Sequence, residues 1–231
     1  MRNKIITAKE AAAMIPDGAT VMIGGFMGNG SPEHIIDALV EKNVQGLHVM
    51  CNDGGIGAVY DENGNEIKGP TGNGKLIKNK SVKKFYATHI GLNKQVAAQM
   101  NDGTMEVTLF PQGSFAEKIR AGGGGLGGVL TPTGIGTEIA DGKDIITIDG
   151  KQYLIEKPLH ADFAIIGGSI VDKKGNVFYK GTTKNFQMVM ATAADTVIVE
   201  AEKIVEVGEL DPDYVMTPFI FVDYIVDGGA K

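Results

Sequence analysis

Residues Asp17 to Pro32 read DGATVMIGGFMGNGSP, and this stretch decides the fold. The turn pair Asp17-Gly18 leads into the apolar triplet Val21-Met22-Ile23, which breaks into Gly24-Gly25-Phe26-Met27-Gly28-Asn29-Gly30 before Ser31-Pro32. That order predicts a buried strand, a glycine loop and a helix start. Ser31 is a suitable N-cap, and Pro32 suits the first helical position, where its fixed φ fits and its missing N–H costs nothing. Glu33 puts a carboxylate in the first turn, and Ile35, Ile36, Leu39 and Val40 recur at helical spacing. Without Cβ atoms the loop N–H groups can approach a ligand, and the positive end of a helix favours an anion or a pyrophosphate. A tight strand-to-helix turn also needs such glycines for packing alone, so both readings stand at this point.

Upstream, Thr7 and Glu10 form a capping box ahead of a short helix over Ala11 to Ile15, ended by Pro16-Asp17-Gly18. Downstream, Leu47 to Cys51 reads as a second strand, with Asn52-Asp53-Gly54-Gly55 at the carboxyl end where open α/β sheets place ligands. The polar, glycine-rich segment Tyr60 to Lys75 predicts a surface turn or small hairpin. A strand over Lys84 to Ile90, a helix over Asn93 to Asn101, a strand over Met105 to Phe110 and a helix over Ser114 to Arg120 follow. Beyond Gly122 to Gly128, Ile145 to Ile148 and Gln152 to Ile155 flank Asp149-Gly150, a two-residue hairpin signal. Asp162 to Ile166 and Thr196 to Val199 read as buried strands, Thr183 to Ala193 as a helix, and Phe219 to Val226 as the last strand. The alternation predicts an α/β fold: a single open, mostly parallel sheet with helices on both faces and an inserted β-hairpin. Residues 1–231 are expected to form one unit, without linker or repeat.

Composition removes several function classes. A chain of 231 residues can bury a sizeable core, and its net charge of −6 argues against binding nucleic acid through the phosphate backbone. No run approaches the ~18 apolar residues of a membrane span, and MRNKIITAKE lacks the apolar centre of a signal peptide. A cytoplasmic protein with no membrane partner is expected. The single cysteine, Cys51, rules out an internal disulfide and reads as core on its apolar strand, against the competing reading of a thiol nucleophile with His48 or His89. His34, His48, His89 and His160 show no metal-ligand spacing, so no metal is expected. Gly122-x-Gly124-x-x-Gly127 follows a helix where the dinucleotide fingerprint demands a strand, and Gly69 to Lys75 is followed by Leu76 where a P-loop needs Ser or Thr.

The order of fixed positions Asp17, Gly18, Val21, Met22, Ile23, Gly24, Gly25, Phe26, Gly30 and Pro32 resembles the signature of the first subunit, or first half, of family I coenzyme A transferases. The run from Pro111 to Thr137, PQGSFAEKIRAGGGGLGGVLTPTGIGT, is similar to that family's Pro-Gln-Gly, Glu-x-Ile-Arg-Ala-Gly-Gly and Thr-Pro-Thr-Gly blocks. Lys180 to Phe186 resembles its basic-Asn-Phe helix start, and Met190 to Glu202 the strand that follows. The likeness runs from about Lys4 to Val226, with a gap at Tyr60 to Gly74. From the residues alone, the Gln112 side chain either faces water or points into the cleft of the glycine loop. The resemblance implies that its amide helps form an oxyanion hole, and that Asn52 is an active-site asparagine.

The same resemblance implies transfer of coenzyme A between carboxylic acids through a glutamyl-CoA thioester. Gly24, Gly25, Phe26, Met27, Gly28, Asn29 and Gly30 are then expected to bind coenzyme A, which is substrate and covalent intermediate, with no separate cofactor. The family's nucleophile lies in a Ser-Glu-Asn-Gly-like motif of a partner β subunit, and an α2β2 assembly is expected. Glu62-Asn63-Gly64 spells the core of that motif here, but its polar surroundings read as a turn. The expected acids are acetate, butyrate or acetoacetate. The alternatives are a 3-oxoacid or 3-oxoadipate transferase subunit and, from another class, a metabolite-binding regulator with a sugar-phosphate isomerase-like fold.

Overall fold

The computed structural model describes residues 3–229, so the outermost residues of the expected 1–231 unit lie outside the described residues. Eight strands form the main sheet, in the order Ile5–Ile6, Tyr224–Asp227, Ala194–Ala201, Ala161–Gly168, Thr20–Ile23, Leu47–Met50, Val82–Ala87 and Glu106–Leu109. Every neighbouring pair in it runs parallel. Alternation along Thr20–Ile23 sends Val21 and Ile23 into one core and Met22 into the other. The helices Ala8–Met14, Glu33–Lys42, Gly74–Lys78 and Lys94–Asn101 cover the first core with Ala11, Ile35, Ile36, Leu39, Leu76, Ile77 and Val96. Gln112–Gly123 and Gln187–Met190 cover the second with Phe115, Ile119 and Met190. A parallel sheet buried on both faces explains why its strands read as near-continuous apolar runs.

From Thr20–Ile23 the chain steps outward through three strands to Glu106–Leu109, then returns as Ala161–Gly168 on the other side of Thr20–Ile23. The order reverses there, at the kind of crevice where open α/β sheets bind ligands beyond their carboxyl ends. The glycine loop follows Thr20–Ile23 at that point, and its Gly30 packs against Gly167 of the returning strand.

The inserted hairpin pairs Ile145–Ile148 antiparallel with Lys151–Glu156, and Asp149 and Gly150 take φ values of 50° and 78°, as a type I′ turn requires. Val129–Thr131 adds a third strand to it. Lys118 and Lys143 close on the buried Glu156 carboxylate at 2.7 and 2.5 Å, fastening this accessory sheet to the helix Gln112–Gly123.

The Thr7–Glu10 capping box is formed as read. Other boundaries differ for identifiable reasons. Ser31 makes no cap: the second helix starts at Glu33 after Pro32, and the Glu200 carboxylate accepts the N–H groups of His34 and Ile35 at 3.2 and 2.9 Å. The helix read over Thr183 to Ala193 shrinks to a 3₁₀ turn, Gly181–Thr183, and the short Gln187–Met190. Asn185 bonds Thr182 O and the Phe186 N–H with its side chain, competing with helix backbone bonds. The final strand is only Tyr224–Asp227, because Phe219–Phe221 winds into a 3₁₀ turn behind Pro218.

The Tyr60 to Lys75 segment does form a surface hairpin, Val59–Tyr60 with Glu66–Lys68. Its end turns inward, where the Gly72 N–H donates to Glu33 Oε1 at 2.8 Å and the Asn73 amide to Asp53 O at 3.2 Å. Lys75, the lysine of the near-P-loop, is ion-paired with Glu33 and Asp37 at 2.6 Å each. Among the described residues no helix is long and apolar enough to cross a membrane.

Candidate active site

The glycine loop is a tight reverse turn. Phe26 and Asn29 exchange backbone bonds of 3.1 and 2.9 Å around Met27 and Gly28, whose φ values are 51° and 83°. Its N–H groups are largely consumed inside the protein: Gly24 donates to Ile165 O at 2.9 Å, Gly25 to Asn185 Oδ1 at 3.3 Å and Met27 to Asp53 Oδ2 at 2.9 Å. The anion at the following helix end is the Glu200 carboxylate, with His34 Nδ1 3.0 Å from it, so the expectation of a ligand anion at that end is corrected. A Cβ at Gly24 would lie 1.6 Å from Oε1 of the fully buried Gln187, whose Nε2 donates to Gly30 O at 2.8 Å. Close packing therefore dictates that glycine, and the loop offers the cleft its exposed Phe26 and Met27 side chains.

An open cleft of about 360 Å³ lies beside the loop, lined by Phe26, Met27, Asn52, Asp53, Thr88, His89, Leu92 and Gln112. Asn52 and Asp53 follow the strand Leu47–Met50, Thr88 and His89 follow Val82–Ala87, and Gln112 follows Glu106–Leu109. Gln112 is the first residue of the helix Gln112–Gly123, two residues earlier than the sequence reading, so it stands on regular backbone instead of in a loop. Phe110, just before it, stacks between Tyr86 and Phe115 at centroid distances of 6.3 and 5.4 Å, and Phe115 meets Phe186 at 5.8 Å. That aromatic row supports the Gln112 helix start and the Asn185 turn together.

The sequence-read residues Gln112 and Asn52 meet in the cleft. Gln112 Nε2 donates to Asn52 Oδ1 at 2.8 Å, and Asn52 Nδ2 donates to Asp53 Oδ2 at 3.0 Å. An amide donor fixed at the mouth of a partly apolar cleft can stabilise negative charge that develops on an oxygen there.

Other candidates fall elsewhere. Cys51 is buried core, and burial, with the Asp53 charge adding to it, pushes its thiol up to about 12, which leaves no thiolate to act as nucleophile. His34 serves Glu200, and His160 lies 3.9 Å from Asp195. Glu62 sits exposed at the tip of the surface hairpin, in a turn where Asp61 accepts the N–H groups of Asn63 and Asn65 at 2.9 and 2.8 Å. The sequence reading did not single out Asp53, Thr88, His89 or Leu92 as cleft residues. For the first three the usable signal is position, one to three residues past the ends of adjacent parallel strands.

A sequence profile of the family described as Coenzyme A transferase matches residues 5–228. The chain is 49% identical over 226 residues to the acetoacetyl-CoA:acetate/butyrate CoA transferase alpha subunit of Clostridium acetobutylicum, spanning 98% of each chain. It is 43% identical to the acetate CoA-transferase subunit alpha of Escherichia coli K12, over 98% of this chain and 97% of that one. An acyl-CoA transferase of Escherichia coli O157:H7 superimposes with a TM-score of 0.81 at 23% identity, over 98% of this chain. This chain spans 47%, about half, of that one, and the likeness is one of fold.

Proposed function

The chain belongs to the coenzyme A transferase family, and from that premise we propose that it is the α subunit of a two-chain enzyme moving coenzyme A between short-chain carboxylic acids of the acetate, butyrate and acetoacetate type. The observation that carries the reading is the Gln112 amide, held at a helix start, bonded to Asn52 and lining the cleft beside the glycine loop. The names of the relatives at 49% and 43% identity supply the acids and the α-subunit role.

In the proposed cycle a glutamate carboxylate of the partner β subunit attacks the acyl-CoA carbonyl and expels the CoA thiolate, leaving a mixed anhydride. The thiolate attacks the glutamyl carbonyl of that anhydride, which releases the first acid as its carboxylate and leaves a glutamyl-CoA thioester. The second carboxylate then runs the two steps in reverse. Each step passes through a tetrahedral oxyanion, to which Gln112 donates while Asn52 holds it in place. The Gly24 to Gly30 loop receives coenzyme A, which is substrate and covalent intermediate, and no other cofactor takes part. The assembly is α2β2.

Reconstitution tests the proposal. The purified chain alone should exchange no coenzyme A, and the chain with its β partner should transfer it from acetoacetyl-CoA to acetate or butyrate in preference to succinate or 3-oxoadipate. Full activity of the isolated chain would overturn the division of labour. Metabolite binding without exchange in the assembled complex would favour the regulator.

A further inference from the structure

We propose that Asp53 is a positioning residue whose carboxylate sets the direction of the Asn52 and Gln112 amides and ties them to the glycine loop. The inference rests on the oxyanion role proposed for Gln112. Asp53 is 3% exposed, and three N–H groups satisfy it: Met27 N–H on Oδ2 at 2.9 Å, Gly55 N–H on Oδ1 at 2.9 Å and Asn52 Nδ2 on Oδ2 at 3.0 Å. Two of the three are backbone donors, so each carboxylate oxygen already accepts, and neither presents a proton to Asn52. The Asn52 atom facing Asp53 is then fixed by chemistry as nitrogen.

The consequence passes along the chain of bonds. With its nitrogen on Asp53, Asn52 turns Oδ1 toward Gln112 at 2.8 Å and Thr88 Oγ1 at 3.3 Å. An acceptor in that place demands the Gln112 nitrogen, which keeps a second N–H for the cleft. An exposed glutamine without this relay can rotate its amide and offer a carbonyl oxygen to an oxyanion. The same carboxylate holds Met27 in the left-handed region at φ 51°, uncommon for a residue other than glycine. Loop position and amide direction therefore depend on one buried group.

Asp53→Asn keeps the shape but adds an NH₂ that must oppose either Gly55 N–H or the Met27 and Asn52 donors. With the NH₂ in the Oδ2 place, flipping Asn52, and with it Gln112, lets that NH₂ donate to Asn52 Oδ1 and leaves only the Met27 N–H opposed. In the assembled α/β enzyme we expect Asp53→Asn to lower kcat roughly tenfold or more, since misplaced catalytic groups lose rate steeply, and to raise KM for acyl-CoA as well, because the loop that receives coenzyme A leans on the same carboxylate through the Met27 N–H. In a Gln112→Ala background the same substitution should lower kcat less than about twofold, because its target is gone. A purely structural role for Asp53 would lower kcat equally in both backgrounds. Asn52→Ala cuts the relay while leaving Asp53 its backbone donors. It should show the same kcat pattern with KM for acyl-CoA within about twofold, and it decides the question if Asp53→Asn folds poorly by thermal melting. A kcat for the single variants within threefold of wild type would overturn the proposal, as would an undiminished loss in the Gln112→Ala background. If Gln112→Ala itself leaves kcat near wild type, the oxyanion assignment fails as well, an outcome distinct from a crippled Gln112→Ala beside an unaffected Asp53→Asn.

Discussion

At position 112, replacing Gln by Ala removes an amide but not the backbone that carries it. The Phe115 N–H still reaches Pro111 O at 2.9 Å, and Phe110 keeps its ring neighbours. Gln112→Ala is expected to lower kcat by about 10²-fold or more with little change in CoA affinity, because an oxyanion bond matters mainly in the transition state. Steady-state kinetics on the assembled enzyme, with calorimetry for CoA, check the split. A fall of less than about threefold would return Gln112 to an ordinary solvent-facing side chain. The sequence made Asn52 and Gln112 candidates separately, and the 2.8 Å bond between them is a property of the fold.

Two contacts between elements, the packing of Gly24 on Gln187 and the ion pairs of Glu156, can each be tested. Gly24→Ala places a methyl 1.6 Å from Gln187 Oε1, and overpacking of this kind costs about 1–3 kcal/mol. The melting temperature should fall accordingly. Adding Gln187→Ala should restore part of it, less the ~1 kcal/mol of the bond to Gly30 O. In the accessory sheet, burial would raise the Glu156 carboxyl, yet hydrogen bonds from Lys118 and Lys143 hold it below its ordinary value. A depressed carboxylate contributes stability that is whole at neutral pH and fades as pH falls through the depressed value, below about 4.3. Glu156→Gln should therefore melt lower than wild type by a constant margin between about pH 6 and 7, a margin that narrows in acid below about pH 4.

Across the whole molecule, covalent chemistry requires a carboxylate that is fixed and shielded from water. Glu62 meets neither condition, because it stands on an exposed hairpin tip. When the assembled enzyme is incubated with acyl-CoA and quenched with borohydride or hydroxylamine, mass spectrometry should find the change only on the partner chain, and Glu62→Gln should keep full activity. Label on Glu62 together with an inactive Glu62→Gln would mean that this chain carries its own nucleophile.

Local chemistry explains what the sequence by itself determined. The capping box at Thr7 and Glu10, the type I′ turn at Asp149-Gly150, the buried triplet Val21 to Ile23 and the alternation of strand with helix rest on neighbours a few residues apart, which the chain states outright. Ser31 failed as a cap because the competitor for its helix end is Glu200, a residue far along the chain whose carboxylate arrives only when the strand Ala194–Ala201 is in place. The glycine loop was legible as glycine-rich, but the reason for Gly24 is Gln187, brought against it by the fold. In the same way the cleft gathers residues past the ends of four parallel strands joined by long crossovers. Register and sheet order, which are tertiary, decided that Asp53, Asn52 and Gln112 would touch.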